Sequence, residues 1–169
     1  MFYRANVRVK LIWNQNSKDL ERMFKMADKK QELIDGLNVD LANEYAASIM
    51  YTYNAAVVSG LYRQTLKPFF ESEIADEQGH ALYLAEKIKV LGGTPTTAPA
   101  EVKQLTDVKE MLIEARTAEK DTIDRYEKRK KQAEELGFTE LVVKLDDMIA
   151  DETHHMEEMD RILSDARFE

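Results

Sequence analysis

The sequence predicts an all-α protein, a four-helix bundle with one long crossover between its second and third helices. Three observations predict it. Apolar residues recur at steps of three and four through four segments, which draws one stripe along each helix. Only one connection between those segments is long, residues 92–106. Each stripe is interrupted by a glutamate, or by a glutamate and a histidine, where a lone charge would be costly.

The elements follow in order. Residues 1–26 show no helical period and no strand alternation. They carry Arg4, Arg8, Lys10, Lys18, Arg22 and Lys25 against Asp19 and Glu21, a net +4 in a chain of −8. The expectation is a basic, disordered extension over 1–27, or residues upstream of a start at Met26, because termini are often untethered. A basic arm touching DNA or a neighbouring subunit is the alternative. Residues 28–169 form the bundle. Its first helix starts near Lys29 and carries Leu33, Leu37, Leu41, Glu44, Ser48, Tyr51 and Ala55 on one stripe, up to Ser59-Gly60.

The second helix starts between Tyr62 and Pro68 and runs to Leu91. Its stripe is Phe70, Ile74, Glu77, His80/Ala81, Leu84, Ile88 and Leu91, and Gly92-Gly93 stops it. The connection 92–106 holds two prolines and no sustained pattern. Fifteen extended residues reach roughly 50 Å, about the length of a 30-residue helix at ~45 Å. The chain therefore travels the whole bundle before the third helix, which places helices two and three parallel. Helix three runs from about Asp107 to Leu136, with Val108, Met111/Leu112, Ala115, Glu119, Thr122/Ile123 and Tyr126 on one side. The charged run EKRKKQAEE (127–135) reads as its solvated face. Thr139 is the expected N-cap of helix four. That helix shows the cleanest stripe: Leu141, Leu145, Met148, Glu152, His155, Met159 and Ile162.

Composition narrows the function. A pI near 5.1 argues against a general nucleic-acid binder and for attraction of cations. With no cysteine, disulfides, a thiolate nucleophile and a rubredoxin-type iron site are excluded. No stretch approaches the roughly 18 apolar residues of a membrane span. The longest early apolar run, Val9 to Trp13, is broken by Lys10 and is no signal peptide. A soluble cytoplasmic protein is the expectation.

The chemistry sits in a short word written twice, Glu77-x-x-His80 and Glu152-x-x-His155. Residues three apart share a helix face, so each pair aims a carboxylate and an imidazole at one spot. Glu44 precedes Glu77 by 33 residues, and Glu119 precedes Glu152 by 33. Four glutamates and two histidines at one repeated spacing make the ligand set of a two-metal carboxylate site. Two divalent cations would offset four buried carboxylates. The mixed oxygen and nitrogen donors suit iron, manganese or zinc. Pseudo-two-fold symmetry assigns Glu44 and His80 to one metal, Glu119 and His155 to the other, and Glu77 and Glu152 to both. Tyr51 and Tyr126 each follow a ligand glutamate by seven residues. They are packed aromatics whose hydroxyls bond ligand carboxylates, or electron donors during oxygen reduction. His154 points away from its neighbour His155 and reads as a surface histidine, with an auxiliary iron ligand as the alternative.

At DLANEYAASIMYTYNA, ADEQGHALYLAEKI, DVKEMLIEA and ADETHHMEEMD the chain resembles the bacterioferritin-like branch of the ferritin superfamily. The resemblance spans about Lys29 to Ile162. It implies a ferritin-like bundle holding two iron ions per subunit. It also implies a ferroxidase centre that oxidises Fe(II) with dioxygen or hydrogen peroxide, and a homo-oligomeric shell that stores the ferric product. Manganese or zinc would fit the same site in isolated protein. Three departures stand out. Bacterioferritins ligate haem through a methionine after the first bridging glutamate, and Gln78 stands there, which argues against haem. An inner-surface histidine of the family is replaced by Ser72, while its acidic partner Asp76 is present. The short fifth helix of twenty-four-subunit shells has no room before Glu169, so a twelve-subunit shell is expected. Two other readings stay open: a DNA-protecting mini-ferritin using the basic arm, and a non-storing rubrerythrin-like di-iron oxidase or peroxidase. The first places its iron between subunits, and the second lacks here the cysteines of its usual electron-supplying centre.

Overall fold

The computed structural model describes residues 3–168, and side chains from Lys18 onward. Four helices make the fold: α1 (Tyr3–Val57), α2 (Arg63–Val90), α3 (Val108–Leu136) and α4 (Thr139–Leu163). Single 3-10 turns cover Gly60–Tyr62 and Ala166–Phe168. α1 packs along α2, α3 along α4, and α1 also along α3. Among the described residues, no helix is long and apolar enough to cross a membrane.

The backbone is helical from Tyr3, continuous with the bundle part of α1. The physical reason is the absence of any glycine or proline before Gly36, so nothing interrupts propagation of a helix already nucleated in the bundle. Lys18–Asp28 are exposed, with Leu20, Met23 and Phe24 presenting apolar side chains to solvent. Residues 1–2 and the side chains before Lys18 lie outside the described residues.

Helix ends follow local chemistry. Gly92 and Gly137 adopt left-handed φ of 91° and 75°, which glycine does without a Cβ penalty. Each closes a Schellman motif. Gly93 N donates to Ile88 O at 2.9 Å, and Phe138 N donates to Ala133 O at 3.0 Å. Asp107 caps α3 by accepting from Glu110 N at 2.9 Å. Thr139 is the first helical residue of α4 rather than its cap. Phe138 holds the cap position without a side-chain bond, since a phenyl ring has no acceptor to offer, and its ring packs against the core.

The crossover lies against α1. Thr96 N donates to Asn38 Oδ1 at 2.7 Å, and Ala100 N donates to Ala42 O at 2.8 Å. Two apolar layers fill the bundle. One holds Leu33, Leu37, Leu41, Leu84, Ile88, Leu141, Leu145 and Met148. The other holds Met50, Ala55, Leu66, Phe70, Met111, Leu112 and Met159, closed at its end by Phe168 stacked on Tyr62 at 5.1 Å. Each fully buried leucine contributes on the order of 1.5–3 kcal/mol. On every helix, the glutamates of the repeated motif fall between the two layers.

One charge of the run 127–135 is not solvated. Arg129 is buried, and its Nε donates to Oδ2 of the buried Asp40 at 2.8 Å. Arg125 Nε lies 3.5 Å from the other oxygen. Burial pushes Asp40 up to about 6, against the pull of both arginines. Gly36 makes room for this pair, since a Cβ there would stand 2.2 Å from Arg129 Cζ.

Candidate metal centre

Glu44 comes from α1, Glu77 and His80 from α2, Glu119 from α3, and Glu152 and His155 from α4. The structure brings all six together, each buried. They form two overlapping quartets: Glu44, Glu77, His80 and Glu152, then Glu77, Glu119, Glu152 and His155. Within each, one donor atom per residue lies within 4.8 Å of the others. Glu77 and Glu152 belong to both. His80 Nδ1 lies 3.0 Å from Glu152 Oε1 and 3.6 Å from Glu44 Oε2. His155 Nδ1 lies 3.2 Å from Glu152 Oε2.

The tyrosines serve the carboxylates crosswise. Tyr126 Oη donates to Glu44 Oε1 at 2.6 Å, and Tyr51 Oη donates to Glu119 Oε1. Each hydroxyl thus bonds the glutamate of the facing helix, not the one two turns away on its own. Both tyrosines are fully buried.

Protonation in the bare site follows from burial and neighbours. Burial pushes Glu77 and Glu119 well above the ordinary carboxylate range, and adjacent glutamates push the same way. Burial acts likewise on Glu152, but contacts with His155 and His80 outweigh it and hold Glu152 near 2. Burial would lower His80, yet Glu152 and Glu44 raise it to about 10. His155 is raised in the same way, chiefly by Glu152 and Glu73 working against burial. Protons therefore balance a cluster that is otherwise short of positive charge. Glu44 Oε2, Glu77 Oε1, Glu152 Oε1 and His80 Nδ1 are buried without a hydrogen-bond partner. Orphaned groups of this kind call for a ligand, and cations that accept carboxylate and imidazole donors fit them.

An outer ring of acids faces the histidines. His80 Nε2 lies 3.5 Å from Asp151 Oδ2. His155 Nε2 lies 3.7 Å from Asp76 Oδ2 and 3.1 Å from Glu73 Oε2. Sequence reasoning passed over Asp151 and Glu73. A signal for Asp151 exists: the doubled word is Asp-Glu-x-x-His in both copies. Glu73 has no such signal. Ser72 is exposed and bonds only the Phe69 carbonyl, at 2.6 Å. His154 is exposed and joins no donor cluster among the described residues. Gln78 borders an open groove of about 500 Å³ with Tyr45, Ile49, Leu82 and Pro99.

The chain is similar to known proteins. The model of the ferritin-like domain family matches residues 34–168. A ferritin-like diiron-carboxylate protein from Bacillus anthracis str. Ames is similar in structure, with 72% identity and a TM-score of 0.80 over 80% of this chain and 98% of that one. A bacterial ferritin of Neisseria meningitidis serogroup A is 29% identical over 137 residues, covering 79% of this chain and 89% of the relative. A nutrient stress-induced DNA-binding protein of Nostoc sp. is 29% identical over 113 residues, and the chain spans only 61% of its length.

Proposed function

The chain belongs to the ferritin-like domain family, and from there we propose that it is an iron-storing ferroxidase. Its substrate is Fe(II), bound as a pair within the bundle. Glu44 and His80 hold one ion, Glu119 and His155 the other, and Glu77 and Glu152 bridge both. The overlap of the two donor quartets carries this reading, because only a pair of shared ligands accounts for four glutamates meeting in one apolar core. Six protein ligands for two ions leave positions open for an oxidant. Each Fe(II) gives up one electron. Four reduce one dioxygen to water, and two reduce one hydrogen peroxide.

The surrounding residues prepare the site. Asp151 and Asp76 face Nε2 of His80 and His155 at 3.5 and 3.7 Å, and a proton held on that side of each ring would leave its Nδ1 lone pair free for a metal. Tyr126 and Tyr51 fix the Glu44 and Glu119 carboxylates. The two apolar layers exclude water on both sides. Ferric product is stored inside a homo-oligomeric cage, and the exposed groove beside Gln78, with Ile49 and Leu82 at its edge, is a surface that assembly would cover.

Anaerobic Fe(II) titration on protein of known assembly size, followed by oxygen and then peroxide, tests the chemistry. Two Fe(II) per chain and fast ferric formation are expected, and Glu77→Ala should lose both. Wild-type oxidation by that variant would show the assignment to be wrong. Light scattering tests storage, and a stable monomer or dimer under all conditions would defeat it. DNA shielding is the second reading. Its support is the similarity to the Nostoc protein and the exposed Lys18, Arg22 and Lys25. Unchanged DNA retardation after removal of residues 1–26 would sink it.

A further inference from the structure

The two halves of the site repeat at an offset of 75 residues. Glu44 corresponds to Glu119, Tyr51 to Tyr126, Asp76 to Asp151, Glu77 to Glu152 and His80 to His155. The charges packed between α1 and α3 do not repeat. Asp40 stands one turn before Glu44, with Nε of Arg129 and of Arg125 at 2.8 and 3.5 Å from its carboxylate. The same offset carries Asp40 to Ala115, Arg129 to Asn54, Arg125 to Met50 and Gly36 to Met111. All four counterparts are buried and none is charged. The fold therefore does not need charge at this place. Buried ion pairs seldom add stability over uncharged residues of similar volume, and Asp40 Oδ1 and Arg125 Nε have no hydrogen-bond partner. Two guanidiniums against one carboxylate leave an excess positive charge on the Glu44 side alone.

We propose that Asp40, Arg125 and Arg129 make the two metal positions unequal, so that Glu119 and His155 take the first divalent cation and Glu44 and His80 the second. This rests on the reading of the pair as a metal centre. Tyr126 connects the arginines to that centre. It follows Arg125 directly on α3 and precedes Arg129 by three residues, and its hydroxyl donates to Glu44 Oε1 at 2.6 Å. The outer acids act in the same direction. One, Asp151, faces His80, whereas two, Asp76 and Glu73, face His155. With carboxylates ionised, two positive and two negative charges surround the Glu44–His80 position, and two negative charges surround the other. At an effective dielectric constant of about 20, one charge roughly 10 Å from a dication changes its affinity by at least about tenfold. The Glu44–His80 position is then the last to fill.

Co(II), which needs no oxidant, is the probe. Crystals of the whole protein are soaked without oxygen through a concentration series, and anomalous density is read at each position. In wild type the Glu119–His155 position should fill at about tenfold lower cobalt than the other. Arg125→Met copies Met50, removes one positive charge and leaves the Asp40–Arg129 bond in place, so the two positions should fill nearly together. Asp40→Asn removes a negative charge and should widen the gap to about a hundredfold. Arg125→Lys keeps the charge and should keep the wild-type order. Opposite shifts in Arg125→Met and Asp40→Asn are what charge predicts, whereas a packing role would move both the same way and overturn the proposal. Arg125→Lys behaving like Arg125→Met overturns it too. So does wild type that fills both positions at once, or the Glu44–His80 position first, a result that needs no variant to fold. Failure of cobalt to enter the pair of wild type would instead bring down the metal-centre reading, and this inference with it.

Discussion

Asp40 provides a quantitative test of how the bundle holds its buried charge. It lies one turn before Glu44 on α1 and is fully buried against Arg129. Its carboxyl is raised from 3.8 to about 6, so the folded state binds its proton more tightly than the unfolded state. A gap of about two units corresponds to about 3 kcal/mol. The sign is the reverse of that for an ordinary paired aspartate. Stability contributed by this group is absent above pH 6 and grows as the pH falls toward 3.8. In Asp40→Asn that titration is gone while Arg125 and Arg129 remain. Urea unfolding of metal-free protein, with a chelator, at pH values from 4 to 8 would measure the effect. The difference between wild type and variant cancels every other titrating group to first order. Wild type should gain about 2–2.5 kcal/mol on the variant between pH 7 and pH 4, most of the full effect. A flat difference, or one that shrinks on acidification, would show that the arginines outweigh burial and that the reasoning fails.

Other outcomes follow from the same contacts. Gly36→Ala should destabilise by roughly 2–4 kcal/mol, because the new Cβ displaces a guanidinium that balances a buried carboxylate. In an Arg129→Ala background the same change should be neutral or stabilising by up to about 1 kcal/mol, and equal losses in both backgrounds would refute the steric account. Tyr126→Phe should weaken metal binding about tenfold by freeing Glu44 Oε1, as read by competition with a chromophoric chelator; unchanged affinity would remove the tyrosine from the site. Metal affinity should fall as pH falls, because Glu77 and Glu119 hold protons in the bare site. Calorimetry in buffers of different ionisation enthalpy should record proton release on binding, and none would contradict those protonation states.

The sequence by itself determined the helices of the bundle, the crossover and the doubled motif. Each is local. Leu33, Leu37 and Leu41 share a face through the helical period alone, and Gly92-Gly93 ends α2 wherever α2 sits. Equal spacings even showed that Glu44 and Glu119 accompany the two pairs. Tertiary structure decided what faces what. Arg129 stands in a run of charges that looks solvated, and only the approach of α1 at Gly36 turns it inward to Asp40. The tyrosines repeat beside their own glutamates in sequence but bond the opposite ones, because α1 and α3 meet face to face. Asp151 lies beside a ligand in the chain, yet its partner is on α2. Glu73 had no pattern to betray it, since its place against His155 depends on how α2 meets α4. Periodicity fixes which residues share a face, whereas pairing across helices depends on register and rotation between them, and these are set by the packing of all four.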